Sequence, residues 1–103
     1  MDWMTDEEWE NRRAEIPAAI REAHRHSIHN RSEIEASEKC GCFYCCAVFP
    51  ADEVRDWGDT YESDTAACPR CGIDSVIGSA SEVAITQEFL REMKYYLFTI
   101  RAN

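Results

Sequence analysis

Apolar residues fall in helical rhythm at both ends of this chain and in short, broken runs in the middle. Near the start, Trp9, Ile16, Ile20, Ala23 and Ser27 lie on one face of an otherwise charged helix. Thr5 reads as its N-cap, with Glu8 three positions on completing a capping box and acids in the first turn meeting the positive end of the helix dipole. Pro17 removes a hydrogen bond and crowds the turn before it, which predicts one kinked helix or two short ones meeting near residues 15–17. Asn30-Arg31-Ser32 reads as a break, with Ser32 capping a short helix over 33–37. At the far end Thr86 is the expected N-cap of the most apolar helix, with Ile85 and Leu90 as a hydrophobic staple. Ile85, Phe89, Met93, Tyr96 and Ile100 form its stripe. Leu90, Leu97 and Phe98 flank that stripe, so this helix should pack on the middle of the chain and on the amino-terminal helix.

The middle follows neither rhythm for long. Ala47-Val48-Phe49 predicts a short apolar strand or turn, and 51–57, with Val54 and Trp57 three apart, about two helical turns ended by Gly58-Asp59. Residues 61–67 can enter the second cysteine pair as a strand, 73–77 alternate enough to leave it as another, and 78–81 read as a turn. Repeats and low-complexity runs are absent from the sequence.

What organises this middle is cysteine. Cys42 and Cys45 form one Cys-x-x-Cys pair and Cys68 and Cys71 a second, with 22 residues between the inner two. Four thiolates offered as two pairs on tight turns match a tetrahedral Zn²⁺ site. In the second pair Pro69 presets one limb of the turn, and Gly72 permits the left-handed conformation that aims backbone amides at sulfur. Cys40 is the rival first ligand, but a one-residue spacing closes a poorer turn. Cys40 and Cys46 read instead as small buried hydrophobes, a redox role for Cys40 being the alternative. Four paired cysteines fill the coordination sphere and their charge blunts Lewis acidity, so the zinc is expected to be structural and not catalytic. A disulfide framework is the other reading of six cysteines. The amino terminus has neither the basic region nor the apolar core of a signal peptide, and no stretch approaches 18 apolar residues. The expectation is therefore a cytoplasmic protein with reduced thiols and no membrane contact.

The strings Cys40-Gly41-Cys42-Phe43-Tyr44-Cys45 and Cys68-Pro69-Arg70-Cys71-Gly72-Ile73-Asp74-Ser75-Val76-Ile77-Gly78, with Phe49, Glu53-Val54 and Trp57 between them, resemble a group of small bacterial hypothetical cytoplasmic proteins with a zinc ribbon. The resemblance spans about residues 24–98, including His-Ser-x-x-Asn-Arg at 26–31 and Ile-Thr-x-Glu-Phe-Leu at 85–90. It implies a cytoplasmic, zinc-containing, free-standing domain and no particular mechanism. Cys46 stands where the group is expected to carry an apolar residue, which implies packing and not ligation.

Charge narrows the partners. The net charge of −9 divides into −4 over residues 1–39, −5 over 40–80 and zero over 81–103. A tetrathiolate zinc site would add to the anionic centre, a poor surface for phosphate backbones, so nucleic acid is disfavoured. Asp52, Glu53, Asp56, Asp59, Glu62 and Asp64 form an acidic belt around Trp57 and Tyr61. Its default is a solvated face. Its functional reading, with Asp52, Asp56, Trp57, Asp59 and Tyr61 as contact residues, is a landing site for a basic protein. His24, His26 and His29 could form a second metal site or supply a catalytic base. The plainer reading is a helix end where histidines and Arg21, Arg25 and Arg31 meet the negative pole. Together these readings predict a small α+β protein: a helical segment over 1–38 and a zinc ribbon with a carboxy-terminal helix over 39–103. The expected role is a non-enzymatic interaction module of adaptor, inhibitor or immunity type, with an enzyme or nucleic-acid-processing accessory using the histidines as the alternative.

Overall fold

The computed structural model describes residues 16–58 and 64–99. The expected capping box at Thr5–Glu8, Trp9, Asp59, Tyr61 and Ile100 lie outside the described residues. The architecture is α+β. Helix α1 (Ala18–Arg25) and the short α2 (Arg31–Glu35) precede strands β1 (Lys39–Cys42), β2 (Val48–Pro50) and β3 (Val76–Gly78), and α3 (Gln87–Lys94) follows. The strands make one antiparallel sheet in the order β2-β1-β3, with Cys40 opposite both Phe49 and Gly78.

Because successive strand residues point to opposite faces, β1 divides the interior in two. On one face Ile77 and the adjoining Phe43 pack with Ile16, Ile20 and Ala23 from the amino-terminal side and Ile85, Leu90 and Met93 from the carboxy-terminal side. On the other, Cys40, Cys42, Phe49 and Val76 pack with Ile34, Val54, Ala66 and Cys68. Two glycines let the helices approach. A Cβ on Gly41 would lie 2.7 Å from a Leu90 methyl, and one on Gly78 would collide with the Ser37 hydroxyl oxygen and press on Ile34. So α3 rests directly on β1, and α2 and the residues just after it rest on β3.

The predicted helix starts hold where they are local. Pro17 immediately precedes α1 in an extended conformation, which proline at a helix start permits. The Thr86 hydroxyl accepts from the Phe89 amide at 3.2 Å, and Ile85 and Leu90 share one core. Leu90 and not Phe89 is the fully buried residue, so the stripe is rotated from its expected centre. Beyond Lys94 the helix widens into a π turn over Tyr95–Thr99.

Elsewhere tertiary partners displace local preference. Helix α2 starts two residues before the expected position, with Asn30 and not Ser32 preceding it. Over 51–57 only a 3-10 turn forms, Ala51–Glu53. Val54 then runs extended into the core, and the Asp56 carbonyl accepts from the Ala67 amide at 2.9 Å instead of continuing a helix. The described part of 61–67 is not a strand; the Ala66 amide is taken by the Asn30 side chain. The strand expected over 73–77 begins at Val76, because the Ile73 and Ser75 carbonyls accept from Cys68 and Phe43.

Candidate metal centre

The two Cys-x-x-Cys turns have the same backbone wiring. In the first, the Cys42 amide donates to the Ala47 carbonyl at 3.0 Å and the Cys46 amide to the Cys42 carbonyl at 2.8 Å. In the second, the Cys68 amide donates to the Ile73 carbonyl and the Gly72 amide to the Cys68 carbonyl, both at 2.9 Å. The middle of each turn presents an amide to the first sulfur: Tyr44 to Cys42 and Arg70 to Cys68, each at 3.3 Å. The amides of Ala47 and Ile73 serve the second sulfurs, Cys45 and Cys71. Donors aimed at sulfur favour the thiolate over the thiol.

The matching frame explains Cys46. It occupies the position that Gly72 holds in the second turn, and both are left-handed, with φ of 64° and 83°. The expectation that Cys46 is packing survives only in part. Its half-buried side chain touches the first core, but its backbone conformation is what closes the turn. Aligning the two Cys-x-x-Cys strings and reading Cys46 against Gly72 was the available signal.

The turns face each other so that Cys42, Cys45, Cys68 and Cys71 converge, their sulfurs all within 4.8 Å of one another. Cys42 Sγ lies 3.7 Å from Cys71 Sγ, and Cys45 Sγ 3.8 Å from Cys68 Sγ. Four sulfurs at tetrahedral corners about 2.3 Å from a central Zn²⁺ would be about 3.8 Å apart, the spacing of these two close pairs. All six cysteines are free thiols. Cys42 and Cys68 are buried, whereas Cys45 and Cys71 reach the surface. Burial raises the Cys42 pKa, the Cys45 and Tyr44 amides opposing it. For Cys45, burial is outweighed by the Ala47 amide and the neighbouring thiols, and its pKa is lowered. Cys71 is raised by burial against the pull of the Ile73 amide. Protons are thus shared unevenly within one cluster, the arrangement that a divalent cation would replace. Cys40 stands apart: fully buried among the second core residues, its thiol is pushed up to about 11 by burial.

The second turn is moored to the first half of the chain. Arg70 holds Glu53 through Nε at 3.1 Å and Nη2 at 3.0 Å, and its guanidinium lies 5.7 Å from the Phe49 ring centroid. Asn30, 3% exposed, donates to the Val76 and His26 carbonyls at 2.8 and 2.9 Å and accepts from the Ala66 amide at 3.0 Å. The sequence marked Asn30 only as part of a break. Its role is long-range and leaves no local signature.

The histidines do not converge. His26 Nδ1 meets Glu33 at 2.9 Å and its Nε2 faces Glu22 at 3.5 Å. His29 Nδ1 meets Asp64 at 2.6 Å, and His24 sets its ring edge-on to Phe43. Among the described residues the cysteine quartet is the only group arranged to hold a metal. Of the acidic belt, Asp52 and Asp56 are exposed, Asp56 accepting from the Gly58 amide. Trp57 is half-buried against the second core, with Arg31 4.8 Å from its ring centroid. No helix among the described residues is long and apolar enough to cross a membrane. No protein-family model matches the chain, and neither a curated protein nor a solved structure does. Fold and site together define a small α+β protein with a four-cysteine cluster able to hold one metal ion.

Proposed function

We propose that Cys42, Cys45, Cys68 and Cys71 bind one Zn²⁺ that organises a zinc-ribbon core, and that the protein is a non-enzymatic module that binds another protein. The observation that carries the metal reading is the pair of identically wired turns that bring four sulfurs within 4.8 Å of one another, two pairs of them at 3.7 and 3.8 Å. Four sulfurs leave no coordination position for a substrate or an activated water, which makes the ion structural. Six free thiols suit a reducing, cytoplasmic compartment. The partner reading is supported by the exposed carboxylates of Asp52 and Asp56 beside the half-buried Trp57, within a segment that carries −5. Such a surface favours a basic protein and disfavours nucleic acid. Metal analysis tests the first part: one zinc per chain, lost on Cys68→Ser. Capture of partners by the zinc-loaded protein, read by mass spectrometry, tests the second. A basic protein whose binding is lost on Asp52→Lys/Asp56→Lys, and kept when His24, His26 and His29 are replaced, supports the module. Loss of a chemical activity on replacing the histidines supports an enzyme instead.

A further inference from the structure

The sulfur contacts of 3.7 and 3.8 Å both run between the two cysteine turns: Cys42 with Cys71, and Cys45 with Cys68. Each contact also joins a buried sulfur to an exposed one. Cys42 and Cys68 are buried, whereas Cys45 and Cys71 reach the surface. The buried member is held in place by its own turn, since Tyr44 and Arg70 donate their amides to Cys42 and Cys68 at 3.3 Å. Exposure decides which sulfur a dissolved oxidant reaches, and proximity decides which sulfur then closes on it. The remaining cysteines are in neither position. Cys40 is fully buried in the second core, and Cys46 packs against the first.

We propose that the quartet is an oxidation site, at which a peroxide converts the two cross-turn pairs, Cys45–Cys68 and Cys42–Cys71, into disulfides. The loss of an ion on oxidation rests on the zinc reading of the same cysteines; the pairing stands on the sulfur geometry alone. With hydrogen peroxide the chemistry balances in two steps. The exposed thiolate, Cys45 or Cys71, attacks one peroxide oxygen; the O–O bond breaks, hydroxide leaves, and the sulfur becomes a sulfenic acid. The buried partner, Cys68 or Cys42, then attacks that sulfur as a thiolate; the S–S bond forms, the S–O bond breaks, and a second hydroxide leaves. Two thiolates have given up two electrons, and with two protons the peroxide ends as two waters. Each pair has only to close from its present contact to about 2.05 Å. One bridge takes two of the four sulfurs, too few of which remain for a tetrathiolate shell. Yet the two turns, separated by 22 residues, stay tied, because each bridge spans both of them. Oxidation thus exchanges an ionic clamp for a covalent one, and in a reducing compartment thiols restore the quartet.

Disulfide mapping of the full-length, reduced, zinc-loaded protein after graded hydrogen peroxide tests this, run beside Cys40→Ala/Cys46→Gly, which keeps the quartet alone. Trypsin cuts after Arg70 and parts Cys68 from Cys71, and chymotrypsin cuts after Tyr44 and parts Cys42 from Cys45. The expected products are fragments joined through Cys45–Cys68 and Cys42–Cys71, with one zinc released to a chromophoric chelator as the first bridge forms. Dithiothreitol should reverse both changes, and the oxidised chain should unfold at a higher urea concentration than the reduced, metal-free chain. Bridges within a turn, Cys42–Cys45 or Cys68–Cys71, would overturn the proposal. So would bridges to Cys40 or Cys46, bridges between copies, sulfinic acid without bridges, or an oxidised chain no more stable than the reduced, metal-free one. Mapping the reduced chain with no metal added keeps the two readings apart: cross-turn bridges in a protein that never takes up zinc support the pairing and sink the zinc.

Discussion

Asn30→Ala probes the tie between the helical half of the chain and the half that carries the cysteine cluster. The Asn30 amide satisfies two fully buried backbone groups on separate segments, the Val76 carbonyl in β3 and the Ala66 amide two residues before Cys68. It also satisfies the partly buried His26 carbonyl. Truncation leaves the first two with no partner and no route to water. At about 1–3 kcal/mol for each orphaned buried group, and a smaller share for the third, the expected loss is about 4 kcal/mol. That is a large part of the stability of a domain this size, typically about 5–15 kcal/mol. The assay is urea denaturation at fixed free zinc, since metal binding shifts apparent stability by mass action. Asn30→Asp separates polarity from packing. It keeps an acceptor for Ala66 but turns a carboxylate toward two carbonyl oxygens, so at neutral pH it should be at least as destabilising as alanine. Those oxygens raise its folded pKa above the unfolded value. Below the unfolded pKa the carboxyl is protonated in both states and can donate to a carbonyl, so the variant is at its best there; stability falls as pH rises through the folded pKa. A loss under about 1 kcal/mol for Asn30→Ala, with an unchanged denaturant slope, would refute the reasoning.

Other outcomes follow from the same contacts. Gly78→Ala should cost at least about 2 kcal/mol and more than Gly41→Ala, because it strikes a Ser37 hydroxyl already bonded to the Glu33 carbonyl and the Ala80 amide, whereas Leu90's methyls can turn aside; paired melting curves decide the order. Cys46→Gly should stay within about 1 kcal/mol of the parent, while Cys46→Val, a β-branched residue at φ 64°, should lose about 2 kcal/mol or more, both read by denaturation. Cys40→Ala should retain a full complement of zinc and melt at lower temperature through a small cavity, whereas Cys42→Ser should lose the metal. Acidification should release zinc with uptake of more than one proton, since the thiolates must be reprotonated as it leaves, and a chromophoric chelator reads the slope.

Features that depend on neighbours in sequence were legible in the sequence. Thr86, Ile85 and Leu90 set the start of the last helix because capping and stapling involve only residues within one turn. The cysteine quartet was legible because each pair closes its own turn, so only the meeting of the two turns had to be inferred. Features that depend on distant partners were not. Residues 51–57 have helical spacing, yet the Asp56 carbonyl and the Val54 side chain find partners across the chain. Asn30 resembles a loop residue in sequence and is a buried junction in three dimensions. The histidines looked like one cluster because they are close in sequence, while the α1–α2 turn, with His29 at φ 51°, sends each to a different partner.

X-ray absorption at the metal edge, combined with metal-to-protein stoichiometry, decides whether the four cysteines hold a structural zinc. One zinc per chain is expected, with four sulfurs at about 2.3 Å and no lighter atom bound to it. An oxygen or nitrogen among the ligands, or a metal-free protein that unfolds at the same denaturant concentration as the loaded one, would contradict it.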